Sequence, residues 1–194
     1  MHGLIVNQLR QFVVHAFGRE LWTRMRADTG LEIDDVPAID RSYEDADVVA
    51  LVQAAAAASG ADAQDLLEQF GEFLAPALLR IYAPILRPEW RTLDVIQHAE
   101  ARIHRVVRRQ DAQAAPPYLT ATRSSADVVE VNYESPRRLC AVARGIMHGL
   151  ATHFNERLDI QQPTCMLRGD PACRLVGRLI SKRRTPPRRL SPSD

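Results

Sequence analysis

Apolar residues recur every three or four positions through the first 110 residues, and this spacing predicts a series of helices. The first four predicted helices cover residues 3–17, 19–26, 42–58 and 62–71. Pro76 and Pro84 interrupt the apolar stretch that follows, so we expect it to kink or to divide into short helices. A longer helix is predicted from about Pro88 to Arg109, with an apolar stripe along one face.

After the Pro116-Pro117 pair the pattern changes to an alternation of apolar and polar residues, which is typical of strands. The elements predicted there are strands at residues 118–123 and 127–133, a helix over 136–155, and strands at 158–160 and 173–180. Helices followed by a mixed region of strands and helices indicate one α+β domain over residues 1–181. Residues 182–194 are basic and rich in proline, so we expect a disordered tail there.

The charges are almost balanced: 25 Lys and Arg stand against 24 Asp and Glu, a formal charge of +1 in 194 residues. Such a chain has no overall field to recruit nucleic acid or an anionic membrane. No apolar run approaches the roughly 20 residues that cross a bilayer, and the opening lacks the layout of a signal peptide, so a cytoplasmic protein is expected. No phosphate loop, nucleophile elbow or carboxylate pair is recognisable, which predicts a protein that is not an enzyme.

Tyr133, Ser135 and Arg137 stand at alternate positions where the second predicted strand ends. Alternate residues of an extended segment share one face, so a phenol, a hydroxyl and a guanidinium can converge on one polyanion. Arginine suits this role because its planar fork binds a carboxylate through two hydrogen bonds. The simpler interpretation is a strand end followed by a helix with Ser135 at its N-cap.

Several motifs occur in the order known from one protein family: the opening residues 1–7, Trp22, the pair Phe70-Gly71, a histidine followed by Pro116-Pro117, and Tyr133-x-Ser135-x-Arg137. Together they resemble the H-NOX family of heme nitric oxide/oxygen binding domains, which occurs in soluble guanylate cyclase and in bacterial sensors. The resemblance extends over about residues 1–180 and is to the stand-alone bacterial type. It implies an N-terminal helical subdomain packed on a C-terminal antiparallel sheet with helices, and a bound heme b.

In the H-NOX family, a histidine on a long helix is the only protein ligand to the heme iron. Counting without gaps from the Pro116-Pro117 pair places His104 at that position. A second register starts from residues 93–96, which resemble the segment before the family's histidine, and places Gln97 at the ligand position with His98 beside it. We favour His104 because it borders the apolar stripe of its helix and because glutamine is a poor iron ligand.

The same resemblance assigns the other contacts to the heme. Tyr133, Ser135 and Arg137 become the clamp for the heme propionates, and Pro117 lies on the proximal side, the side of the histidine ligand. The positions on the distal side, where the gas binds, are all apolar in this chain: Ile5, Leu9, Leu74 and Val142. Family members that bind O2 stably have a tyrosine at the position of Val142. Because bound O2 depends on a hydrogen-bond donor whereas NO and CO do not, the pocket is predicted to select NO and CO.

Three cysteines, Cys140, Cys165 and Cys173, form a second candidate site. Thiolates are favoured zinc ligands, and the turn at residues 169–171 can bring the last two together. In a subset of H-NOX sensors, and in the similar vinyl-reductase-type domains, cysteines at this spacing bind zinc with a fourth ligand where this chain has Gln162. Glutamine is not a usual ligand; the donors that could replace it are His153, Asp159 and Asp170. Buried free thiols are the alternative interpretation.

The resemblance implies a heme-based sensor of NO. Gas binding would weaken or break the iron–His104 bond, displace the proximal helix and signal to a partner such as a histidine kinase or a diguanylate cyclase. Two alternatives stay open. One is a heme-free relative that holds a small apolar ligand in the same cavity, as vinyl-reductase-type domains do. The other is a redox sensor based on zinc or on the three cysteines.

Overall fold

The structure is a computed structural model that describes residues 1–110 and 115–180. Helices make up most of the first 110 residues, and a four-stranded sheet follows them. The helices are α1 Gly3–Phe17, α2 Arg19–Thr29, α3 Asp45–Ser59, α4 Ala63–Tyr82, α5 Thr92–Ala99, α6 Arg105–Gln110 and α7 Cys140–His153. A π-helical turn, Glu100–His104, joins α5 to α6. The strands are β1 Tyr118–Ser125, β2 Val128–Glu134, β3 Leu158–Thr164 and β4 Cys173–Leu179. The predicted tail, residues 182–194, lies outside the described residues.

Pro76 does not divide the helix, which was one of the two outcomes expected from the sequence, whereas Pro84 lies in the turn where the helix ends. Helix α4 continues from Ala63 to Tyr82 with Pro76 inside it, and only then gives way to a 3-10 turn, Ala83–Ile85. A proline inside a helix removes one backbone hydrogen bond and costs about 3 kcal/mol. Packing offsets this cost, because the residues around Pro76, namely Leu74, Ala75 and Ala77, are all buried.

Three helices begin clearly later than predicted, among them α5, which begins at Thr92 rather than at about Pro88. Helix α3 begins at Asp45 rather than at residue 42, and α7 begins at Cys140 rather than at residue 136. The chain turns before α7, where Arg138 has a φ of 52° in the left-handed region. The N-cap of α7 is therefore Leu139 and not Ser135, which leaves the Ser135 side chain available for other contacts.

Helices α4 and α7 approach each other closely because glycines line their contact. A Cβ atom at Gly145 would lie 1.9 Å from the carbonyl oxygen of Glu68, and one at Gly71 would lie 2.3 Å from that of Val142. Neither position has room for a side chain. The contact brings Leu74 on α4 and Val142 on α7 into one apolar cluster.

The four strands form one antiparallel sheet in the order β1-β2-β4-β3. One apolar cluster lies among the N-terminal helices, and a second joins α5 and α7 to the sheet through buried residues such as Leu93, Val129 and Leu175. This architecture confirms the predicted α+β class. Among the described helices, none is long and apolar enough to cross a membrane.

Candidate functional site

His104 occupies the last position of the π-helical turn, and its side chain is 18% exposed. Burial lowers the pKa of His104 to about 4, although hydrogen bonding of the ring to the Pro117 carbonyl acts in the opposite direction. The imidazole is therefore neutral at pH 7 and keeps a lone pair for a metal ion. π-helical turns are rare and occur frequently at functional sites, so the backbone itself marks this position.

His98, the other candidate ligand, has different surroundings. Its ring stacks on the ring of Trp90, with centroids 4.5 Å apart and planes 21° apart. Its Nδ1 atom lies 2.8 Å from the carbonyl oxygen of Asp94 in the same helix. A ring held by a stack and by its own helix is less available to a metal ion than the ring of His104.

Tyr133 and Ser135 meet at the end of β2, where they are 3% and 4% exposed. Burial raises the pKa of Tyr133, and hydrogen bonds with Ser135 and with the backbone of Leu139 partly offset the rise. Tyr133 therefore keeps its proton at neutral pH. The two hydroxyl groups form a neutral polar pair inside an otherwise apolar part of the protein.

The Arg137 side chain pairs with Asp45 at the start of α3 rather than with these hydroxyls. Arg137 Nε lies 2.7 Å from Asp45 Oδ2, and the guanidinium also donates to the carbonyl of Ala115. The amino group of Met1 lies 3.0 Å from the other oxygen of Asp45. Burial acts to raise the pKa of Asp45, but hydrogen bonds with Arg137 and with this amino group outweigh it and lower the pKa. A cavity of about 220 Å³ adjoins the pair, lined by Met1, His2, Ser42, Tyr43, Glu44, Asp45 and Arg137.

The four predicted distal residues come together in the first apolar cluster. Leu9 on α1 and Leu74 on α4 are each 2% exposed. Ile5 on α1 and Val142 on α7 are partly buried and pack against the same cluster. Three helices thus contribute these side chains, none of which has a hydrogen-bond donor, to the same apolar cluster.

The three cysteines also come together, and all three are buried. Their sulfur atoms lie within 4.8 Å of one another, and the sulfurs of Cys140 and Cys165 are 3.7 Å apart. Two ligands of a tetrahedral zinc ion, with zinc–sulfur bonds of about 2.3 Å, lie roughly 3.8 Å apart. Cys140 and Cys165 therefore already have the spacing of two zinc ligands.

Gln162 and Asp170 differ in their relation to this cysteine cluster. The Gln162 side-chain oxygen accepts from Arg144 at 3.3 Å, and its buried Nε2 has no partner among the described residues. The Asp170 carboxylate accepts the backbone N–H of Cys165 at 2.7 Å. Of the two, Asp170 has the chemistry of a zinc ligand and is tied directly to the cluster.

The other two donors considered from the sequence, His153 and Asp159, lie far from the cysteine cluster along the helix or strand that carries them. His153 ends α7, which begins at Cys140, so about 20 Å of helix separates them. Asp159 on β3 lies opposite Arg178 on β4. Arg178 is five residues along β4 from Cys173, so about 17 Å separates Asp159 from Cys173. Neither is placed to complete a site with the three cysteines.

The family model for Haem-NO-binding domains (HNOB) matches residues 2–162. The chain belongs to this family, the H-NOX domains. The S. oneidensis H-NOX protein in the Fe(II)NO ligation state matches this domain with a TM-score of 0.85 and 26% identity, over 93% of this chain and 100% of that chain. The unliganded Fe(II) H-NOX protein from K. algicida matches with a TM-score of 0.83 and 20% identity, over 94% of this chain and 98% of that chain. A comparison with curated protein sequences gave no significant match.

The donor set of this H-NOX domain fits a heme. His104 offers a neutral imidazole, which binds iron, and Arg137 has a guanidinium that suits a propionate in exchange for its present partners, Asp45 and the Ala115 carbonyl. The apolar wall of α1, α4 and α7 suits a macrocycle, which is itself largely apolar. Family membership makes this chain a heme-based gas sensor domain.

Sequence reasoning missed two carboxylates at this site. Asp45 pairs with Arg137, which is 92 positions away in the chain, so no local sequence pattern could predict the contact. Glu100 lies four residues before His104, and its Oε2 atom is 3.3 Å from His104 Nδ1. The i, i+4 spacing was a signal for the second contact, since side chains at that spacing are neighbours on a helix.

Proposed function

We propose that this H-NOX domain senses NO through a heme whose iron is bound by His104. The observation that carries the proposal is the buried, neutral imidazole at the end of the π-helical turn. When bound, ferrous heme supplies the iron to which NO binds. The test is an absorption spectrum of the purified, reduced protein before and after NO. A Soret band that shifts on NO addition supports the proposal, whereas a protein that stays colourless after expression with added hemin contradicts it.

Selection of NO follows from the apolar distal wall formed by Ile5, Leu9, Leu74 and Val142. Bound O2 carries partial negative charge and needs a hydrogen-bond donor, which none of these side chains has. NO and CO bind ferrous heme without such a donor. The S. oneidensis relatives are described in Fe(II)NO and Fe(II)CO ligation states, which is consistent with this proposal.

A donor added at position 142 should change this selectivity. We expect the unmodified ferrous protein to bind NO and CO but to form no lasting oxy complex in air. Val142→Tyr adds a phenolic hydroxyl, and a hydrogen bond to the charged ligand is worth about 1.5–3 kcal/mol, or a ten- to hundredfold gain in O2 affinity. Stopped-flow spectra in air-saturated buffer measure the gain.

The matched control for this prediction is Val142→Phe, which adds the same ring without the hydroxyl. It should leave O2 affinity close to that of the unmodified protein, because a ring alone offers no donor. Equal O2 affinity in the Tyr and Phe variants would mean that position 142 does not face the gas. A stable oxy spectrum of the unmodified protein would contradict the apolar pocket itself.

His104 also links the proposed gas site to the neighbouring elements of the fold. Its π-helical turn contacts β1, and α6 continues the chain beyond it. If NO weakens the bond between iron and His104, only contacts with other residues of the protein then determine the position of this turn. We propose that the resulting shift of the proximal helix is the signal to a partner such as a histidine kinase or a diguanylate cyclase.

The propionate clamp can be tested through Arg137. Arg137→Ala should speed heme loss about ten- to hundredfold, because it removes a charge-assisted pair worth about 1.5–3 kcal/mol. Transfer of heme to excess apomyoglobin measures the rate. Arg138→Ala is the matched control, since Arg138 is the exposed neighbour. Equal rates for all three proteins would rule out the assignment of Arg137.

The cysteine cluster supports a second metal centre. Three buried thiols within 4.8 Å, two of them at the spacing of zinc ligands, fit tetrahedral zinc with three protein sulfurs. Asp170, whose carboxylate accepts the backbone N–H of Cys165, is our candidate for the fourth ligand, although it is not among the donors that lie within 4.8 Å of one another. The cluster joins the start of α7 to β4, so we propose that zinc has a structural role there.

A further inference from the structure

The carboxylate of Glu100 is held rigidly beside the proposed iron ligand. Its Oε1 atom pairs with the guanidinium of Arg108, one turn beyond the π-helix. Its Oε2 atom accepts the backbone N–H of Leu119 on β1 at 3.2 Å and lies 3.3 Å from His104 Nδ1. Both oxygens therefore have partners, and three separate elements converge on one side chain.

Arg108 is itself anchored, which keeps this arrangement in place. Its guanidinium lies over the Tyr118 ring, with the central carbon 4.8 Å from the ring centroid. It also lies 3.5 Å from the carbonyl oxygen of Pro116. Glu100 and Arg108 are 30% and 24% exposed, so the pair is partly shielded from water and is stronger than a pair on the open surface.

A carboxylate paired with arginine has no proton to donate, so a hydrogen bond between Glu100 and His104 must have Nδ1 as its donor. The ring also hydrogen bonds to the Pro117 carbonyl, so Glu100 is one of two acceptors beside it. The lone pair of the imidazole is then on Nε2, the atom that faces away from Glu100. A carboxylate that accepts the Nδ1 proton also raises the basicity of a metal-binding histidine. The contact with Glu100 therefore favours the tautomer that carries its proton on Nδ1 and adds to the donor strength of Nε2.

We propose that Glu100 is a positioning residue that strengthens the bond between His104 and the heme iron, and so sets how readily NO breaks that bond. This inference rests on the proposed heme site. It assigns to Glu100, held by Arg108 and Leu119, the control of the step that releases the proximal helix. A purely structural role, as a tie between the helix and β1, would leave the iron–histidine bond unchanged.

The test compares Glu100→Gln with Glu89→Gln in the full-length, heme-loaded ferrous protein. Both variants lose one negative charge, but Glu89 is an exposed residue ahead of α5. Resonance Raman spectroscopy measures the iron–histidine stretching frequency. We expect a lower frequency in Glu100→Gln, together with about tenfold weaker heme retention and a larger five-coordinate fraction of the NO complex. Glu89→Gln should match the unmodified protein.

An unchanged stretching frequency in Glu100→Gln would overturn the inference while leaving the heme site intact. If Glu100→Gln fails to fold, the shorter acidic variant Glu100→Asp takes its place in the same measurement. Glu100→Asp keeps the negative charge but draws it back from Nδ1, so a lower iron–histidine stretching frequency in that variant supports the inference and an unchanged one overturns it. A protein without a Soret band would instead contradict the proposed function, so the two failures are distinguishable.

Discussion

The His104→Gly variant should lose its heme during purification and recover the ferrous spectrum when imidazole is added. His104 is proposed as the only side chain that binds the iron, so its loss should weaken heme binding more than the ten- to hundredfold typical of a residue that only supports a metal ligand. Glycine leaves a gap the size of the missing ring, which free imidazole can enter. Heme content per chain, measured by the pyridine hemochrome assay, quantifies the loss.

His98→Gly is the control for this experiment because it removes the same ring from the same helical segment. It should leave the heme spectrum unchanged and lower stability, since it removes the stack on Trp90. The reverse pattern, with heme lost in His98→Gly and kept in His104→Gly, would establish the alternative register. Loss of heme in both variants without imidazole rescue would point to unfolding, which circular dichroism detects.

Periodicity predicted the order of helices and strands because each element buries one face against its neighbours. The α+β class and most element bounds before residue 60 follow from this pattern alone. Of the two outcomes expected at Pro76, a kink or a division, the division does not occur, because the buried residues around it keep α4 continuous. The late start of α7 has a related cause, since the left-handed Arg138 reflects how β2 must meet α7.

The chemistry of the site was less predictable than its residues. Wheel geometry placed His104 at the edge of an apolar stripe, but no residue pattern in this chain indicated the π-helical turn. Likewise, the motif containing Arg137 was visible in the sequence, whereas its partner Asp45 depends on how α3 packs. Residues identify candidate donors, and tertiary contacts decide their charge, tautomer and neighbours.

Cys173→Ser should abolish zinc binding and lower the melting temperature of the protein. Cys173 is fully buried at the start of β4, where it pairs with Tyr133 of β2, so its neighbours belong to the centre of the sheet. Serine keeps the size of the side chain but is a poor zinc ligand. We expect zinc, measured by mass spectrometry, to fall from about one ion per chain to almost none. The melting temperature should fall by about 5 °C or more, since each kcal/mol shifts it by about 2–4 °C in a domain of this size.

The chain has no cysteine outside the cluster to serve as a control, so the metal itself must be varied. Adding zinc to chelator-treated protein should raise the melting temperature of the unmodified chain and leave that of Cys173→Ser unchanged, because only the folded unmodified protein binds the ion. Destabilisation of the variant without any response of the unmodified protein to zinc would identify the cysteines as core residues. In that case the close approach of Cys140 and Cys165 reflects packing between α7 and the turn that follows β3, and the C-terminal sheet is held by its apolar core alone.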